Sequence, residues 1–173
     1  MSNSGKVLVM AIERKETHGG KDMYVSFLKE DDTWTAPINM GSTVNSVQNE
    51  LAPFIASDDK TLYFASSGFS NYGSADIFVT KRLDSTWMKR SEPINLGPTF
   101  NSEKWDAYFS LDAQGENAYF VRAQDDDGGN SDIYQARLPV EAKPDPVVLI
   151  TGNVYNDKTK MPISAKIIYE NLS

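Results

Sequence analysis

The stretch "WTAPINMGSTVNS", Trp34 to Ser46, is rewritten later in the chain as "WMKRSEPINLGPTFNS", Trp87 to Ser102. A shift of 56 residues lays Pro37, Ile38, Asn39, Gly41, Thr43, Asn45 and Ser46 on Pro93, Ile94, Asn95, Gly97, Thr99, Asn101 and Ser102. The same shift sets "LYF" at Leu62 over "AYF" at Ala118, and "DIFV" at Asp76 over "DIYQ" at Asp132. An upstream copy follows at a shift of 54, where "DMYV" at Asp22 matches "DIFV" and Lys6 and Leu8 match Lys60 and Leu62.

One unit therefore reads as an apolar strand, a Gly-rich turn, an Asp opening a second strand, a Thr-Trp stretch, and then Pro-Ile-Asn and Gly. The segments "KVLVMAI", "KTLYFAS", "DIFVTKRL" and "NAYFVRA" are short, rich in β-branched and aromatic residues, and bounded by Gly, Asp, Asn and Ser, as strands are. Leu62 and Phe64 alternate with the apolar Tyr63 and Ala65, so both faces of such a sheet must be covered. A period of this length with several strands per unit points to an all-β chain of β-propeller-type blades, in which each blade is dried by its neighbours. Closed propellers need about four to eight blades, more than this chain supplies, so the blades are expected not to close within it.

The repeated phrase has a mechanical reading. Pro37 and Pro93 fix φ, Gly41 and Gly97 permit a left-handed bend, and Asn45 and Asn101 are expected to hold the following turn by local Asx-type bonds. Trp34 and Trp87 are expected as large packing residues between blades, with ligand stacking as the alternative.

Composition bounds the rest. Net charge is −7, with 17 Lys and Arg against 24 Asp and Glu, which argues against a sequence-independent grip on nucleic acid. Cysteine is absent, removing disulfides, thiolate metal sites and Cys nucleophiles. No run approaches the ~20 apolar residues of a membrane span, and "MSNSGK" has no signal-peptide pattern.

"DKTLYFASS", "YGSADIFVTKR" and "GGKDMYVS" resemble the WD40-like repeats of the TolB-type propeller group. The run from "WTAPINMG" to "GNSDIYQARLP" is similar to the propeller segment of bacterial envelope proteins of the OmpA family, including a peptidoglycan-linked component of the type IX secretion apparatus. On this resemblance residues 5–140 are propeller repeats, and residues 1–4 are either an extraneous leader or the turn of a preceding blade. Residues 141–146, including "AKPDP", form a Pro-rich linker. Residues 147–173 resemble the opening of a carboxypeptidase regulatory-like β-sandwich, with a strand, an Asn-Asp turn and a second strand after Pro162. The chain then looks like a piece of a longer protein. The resemblance implies a periplasmic or outer-membrane-associated place, protein partners in the cell envelope, and peptidoglycan contact only through a domain not present here. Open blade edges add self-association.

His18, in "ETHGGKD", is expected as a solvated loop residue, without the burial and orienting carboxylate of a catalytic triad. "QDDDGGNSD" invites calcium at Asp125–Asp127, but Asn130 and Ala136 stand where an EF-hand needs Gly and Glu; a solvated hairpin loop is favoured, with weak calcium binding as the alternative and no other cofactor expected. Asp22, Asp76 and Asp132 recur after turns and are expected to hold backbone N–H groups, with a ring of acids around a channel as the alternative, and Asn39 and Asn95 are further structural positions of the repeat. "DDTW" and "LDSTW" depart from the Asp-box of sialidase-type propellers, holding Lys29 and Asp31, or Arg82 and Asp84, at its Asp and Gly places. Phe69 and Tyr72, in "SGFSNYGS", are the candidate contact surface, with packing over a neighbouring blade as the alternative.

The expectation is a non-enzymatic interaction scaffold. The alternative is a carbohydrate- or peptide-binding or hydrolytic propeller whose acids converge on a central pocket.

Overall fold

A computed structural model describes residues 1–125, 130–148 and 152–165. The described residues are all-β apart from one 3-10 turn at Val140–Ala142. The first sheet contains β1 (Val7–Ile12), β2 (Asp22–Phe27) and β3 (Ile38–Asn39), in that order. The middle sheet contains β4 (Glu50–Ile55), β5 (Thr61–Ser66), β6 (Asp76–Lys81) and β7 (Ile94–Asn95). The last sheet contains β8 (Asp106–Leu111), β9 (Asn117–Ala123) and β10 (Ser131–Arg137). All pairings within the sheets are antiparallel meanders, and none of the three sheets closes on itself.

The repeat reappears as strand equivalence. β4 corresponds to β8, β5 to β1 and β9, β6 to β2 and β10, and β7 to β3. Relative to the middle sheet, the first lacks a counterpart of β4 and the last a counterpart of β7 among the described residues.

Both faces of the middle sheet are covered, as its unbroken apolar strands require. Leu62, Phe64 and Phe78 point into a core shared with Val7, Val9, Met23 and Val25 of the first sheet. Tyr63, Ile77 and Val79 point the other way, into a core shared with Phe109, Ala118 and Phe120 of the last sheet. Fully burying side chains of this size contributes roughly 1.5–3 kcal/mol each, which is why the sheets stack rather than stand apart.

β4 and β8 each contain a bulge against their partners, between Leu51 and Phe54 and between Ala107 and Ser110. At each bulge a non-glycine residue takes a left-handed backbone, Ala52 at φ 48° and Tyr108 at φ 54°. Gly41 and Gly97 are left-handed at φ 80° and 78°, the bend foreseen for them.

Residues 140–146 do not hang free as a linker. Ala142 is buried, its carbonyl accepts from the Tyr63 hydroxyl, and the Lys143 carbonyl accepts from Lys81 Nζ. Asp145 pairs with Lys60 at 2.6 Å, and Lys143 pairs with Glu116. The charges and Tyr63 convert a Pro-rich segment into a strap across the ends of the middle and last sheets. Farther on, Tyr155 bridges Pro162 around an Asn156–Met161 turn. The remaining expected strand positions, 149–151 and 166–173, lie outside the described residues. No helix among the described residues is long and apolar enough to cross a membrane.

Candidate functional site

The positions that the sequence singles out meet in a polar clip, built twice at one end of the sheets. In the first copy, the Asn39 amide donates to Asp22 Oδ2 at 2.7 Å, and Asn39 Oδ1 accepts from Gly41 N and from Asn45 Nδ2. Asn45 then reaches back to β2, accepting from Met23 N at 2.7 Å and donating to Met23 O at 3.1 Å. In the second copy, Asn95, Asp76, Gly97, Asn101 and Ile77 repeat every one of these bonds. The Asx-type bond therefore belongs to Asn39 and Asn95. Asn45 and Asn101, expected to hold their own local turn, instead mimic a strand partner for residues 22 and 24 positions upstream.

The next residue carries the clip to the following sheet. Ser46 donates from its N–H and hydroxyl to the Glu50 carboxylate, and Ser102 does the same to Asp106. Two backbone bonds complete each junction: Gly20 N to Gln48 O with Glu50 N to Lys21 O, then Ser74 N to Lys104 O with Asp106 N to Ala75 O. At both junctions a glycine leaves room for the linker, since a Cβ on Gly19 or Gly73 would overlap the backbone of Val47 or Glu103. Glu50 and Asp106 escaped the sequence reading, although the 56-residue shift aligns them and each follows its serine by four residues.

The two buried carboxylates are treated differently. Burial raises the Glu50 pKa, against the lowering effect of hydrogen bonds from Ser46 and Ser66. Asp106 instead meets Arg122 Nε at 2.7 Å, and Arg122 occupies the place of Ser66 in the shifted sequence. Asp22, Glu50, Asp76 and Asp106 are all inaccessible to solvent, and the bonds they accept come mainly from loops and neighbouring strands. Among the described residues, no group of three or more His, Asp or Glu is placed to hold a metal ion.

Asp132 parts from Asp22 and Asp76. It is exposed and, among the described residues, accepts a 3.2 Å bond from Gln124, with no counterpart of β7 among them to bring an Asn to it. His18 also needs correction: its ring is about half exposed, yet Nδ1 lies 3.3 Å from Asp22, so the loop does supply a carboxylate. No hydroxyl side chain of the described residues hydrogen-bonds that ring. Asp125 is exposed, while Asp126 and Asp127 lie outside the described residues.

Trp34 and Trp87 are not equivalent. The second copy carries a two-residue insertion here, and the bridges Leu28–Trp34 and Arg82–Arg90 match Trp34 with Arg90, three residues beyond Trp87. Trp34 is 38% exposed, whereas Trp87 is buried in the first core with Arg82 and Arg90 over its ring at 4.9 and 5.8 Å. Burial, with Arg82 beside it, lowers the Arg90 pKa to about 10. Phe69 is half-buried and packs on the first core against Phe64 and Phe78. Tyr72 remains 53% exposed.

Shallow recesses lie elsewhere. One of about 420 Å³, lined by Phe54, Ala56, Leu111, Asp112 and Pro144, opens beside the strap at the opposite end from the clips. Asp22, Glu50, Asp76 and Asp106 do not line it. No protein-family model, curated protein or solved structure matches this chain.

Proposed function

We propose that the three sheets are consecutive blades of an incomplete β-propeller and that the chain works as a non-enzymatic interaction scaffold. The observation carrying this reading is the junction itself. The same Gly, Asn, Ser and acidic positions, one repeat apart, join each sheet to the next by the same bonds. In this reading the buried acids work as fasteners, each holding N–H or hydroxyl donors of a loop, and none meets a substrate. Tyr72, exposed in a Gly- and Ser-rich turn, is the proposed contact residue on the side loops. The envelope placement, protein partners there and a distant peptidoglycan anchor rest on the sequence resemblance.

Asp76→Asn separates the scaffold from the hydrolytic alternative. As a fastener, Asp76 sets stability, so the substitution lowers the thermal midpoint and leaves no glycosidase or peptidase turnover to lose. A hydrolytic activity in the native chain that disappears in Asp76→Asn while the melting curve stays fixed overturns the proposal.

A further inference from the structure

Just beyond β6 two arginines lie together without a counter-charge. Arg90 is 5% exposed; its Nη2 donates to the carbonyls of Lys60 and Thr80, while Nε and Nη1 have no acceptor among the described residues. Arg82, its partner across the bridge, donates from Nη1 to Asp84 O and also leaves a buried Nε without an acceptor. Neither guanidinium pairs with a carboxylate of the described residues. Two carboxylates close by in the chain are engaged elsewhere. Asp58 accepts from the N–H groups of Lys60, Thr61 and Asp145 and from the Thr61 hydroxyl, and Asp84 accepts from the N–H and hydroxyl of Thr86. The Trp87 ring offers both arginines only its π-face. Water can accept from the orphaned N–H groups, but it brings no charge, and a buried cation without one is costly.

The fold does not ask for these arginines. The repeat places Leu28 and Leu138 where Arg82 stands, and Trp34 where Arg90 stands. Arg82 and Lys60 line an open recess of about 310 Å³, completed by Leu83, Asp84 and Ser85. We propose that this recess binds a phosphoryl-type dianion, with Arg82 and Lys60 as its direct donors and Arg90 as the positive charge behind them. Two unmatched guanidiniums balance the charge of a phosphate group near neutral pH, about −1.5 to −2, and N–H groups of a guanidinium suit its oxygens. Arg90 stays cationic there, although burial and Arg82 hold its pKa down at about 10. Lys60 also holds Asp145 of the strap, which leaves Arg82 as the principal contact. The site stands whether or not the sheets are propeller blades.

Calorimetric titration of the full chain with inorganic phosphate at neutral pH and fixed ionic strength is the test, together with melting in phosphate and in chloride. The expected result is saturable 1:1 binding and a higher thermal midpoint in phosphate. Arg82→Leu, which installs the residue of the other two copies, weakens phosphate binding at least tenfold yet melts in chloride at or above the native midpoint. Lys60→Gln weakens binding less, and it carries the comparison if Arg82→Leu does not fold. Arg137→Gln, at an exposed arginine elsewhere, leaves binding unchanged. O-phosphoserine separates the sources of the ligand: tighter binding than inorganic phosphate assigns the site to a phosphoryl group on a larger molecule, and equal or weaker binding assigns it to the free ion. No saturable heat and no midpoint shift with phosphate overturn the proposal, as does phosphate binding of native strength in Arg82→Leu.

Discussion

The two junctions share a backbone plan and differ in what fills it. Between the first and middle sheets the core sets the aliphatic and Met side chains Val7, Val9, Met23, Met40 and Val44 against Phe64, Phe78 and Trp87, and the buried acid Glu50 accepts from serine donors. Between the middle and last sheets the core is aromatic, with Tyr63 stacked on Phe109 at 4.1 Å and Phe100 tilted on Phe120 at 5.2 Å, and the acid Asp106 has Arg122. The clip, the glycine and the paired backbone bonds are the same at both. Geometry at these junctions is set by a few polar and small residues that fix where the chain turns; the apolar filling then needs only the right volume.

Phe109→Ala should break the comparison most sharply. It removes a ring touching Phe54, Tyr63 and Phe100, and is expected to cost about 3–5 kcal/mol. Calorimetry should show the loss, and hydrogen exchange should place it in the last two sheets, with β1 and β2 protected longest. Equal effects are expected for Asn45→Ala and Asn101→Ala, since each strands the N–H of one buried residue, Met23 or Ile77, whose C=O keeps its bond from Met40 N or Leu96 N; about 1–3 kcal/mol apiece is the expected cost in a denaturant titration. A large inequality would mean that the two clips are not one device.

The acids should separate the junctions by pH. The folded-state pKa of Glu50 is raised, so its neutral form is favoured on folding, and stability falls as pH rises from the ordinary glutamate value through the folded one. Glu50→Gln should therefore match the native chain in acid and exceed it in stability at neutral pH. Arg122→Met, in contrast, leaves Asp106 buried without its cation and should destabilise at neutral pH. Thermal midpoints of both variants at neutral pH check the opposite signs.

The sheets were legible because strand equivalence is written in one offset, and the alternation at Leu62 to Ala65 already demanded two covered faces. Less legible was the clip. Asn45 and Asn101 find their partners more than 20 residues upstream, a relation that no local turn rule contains. The tryptophans misled because an insertion slid Trp87 onto Trp34 by name while Arg90 took its place in space. The left-handed Ala52 and Tyr108 carry no residue-type signal at all, since neither is Gly, Asn or Asp. The Glu50–Asp106 equivalence, and the substitution of Arg122 for Ser66, were available in the aligned repeats to anyone pairing positions four and sixteen apart.

The docked strap also governs how force enters the molecule. A pull applied beyond Val147 reaches Asp145 and Ala142 first, and through them Lys60 and Tyr63 at the start of a central strand. The load is then spread as shear across the best-buried sheet, and β10, which sits at an edge and would otherwise unzip one rung at a time, is shielded until the strap lets go.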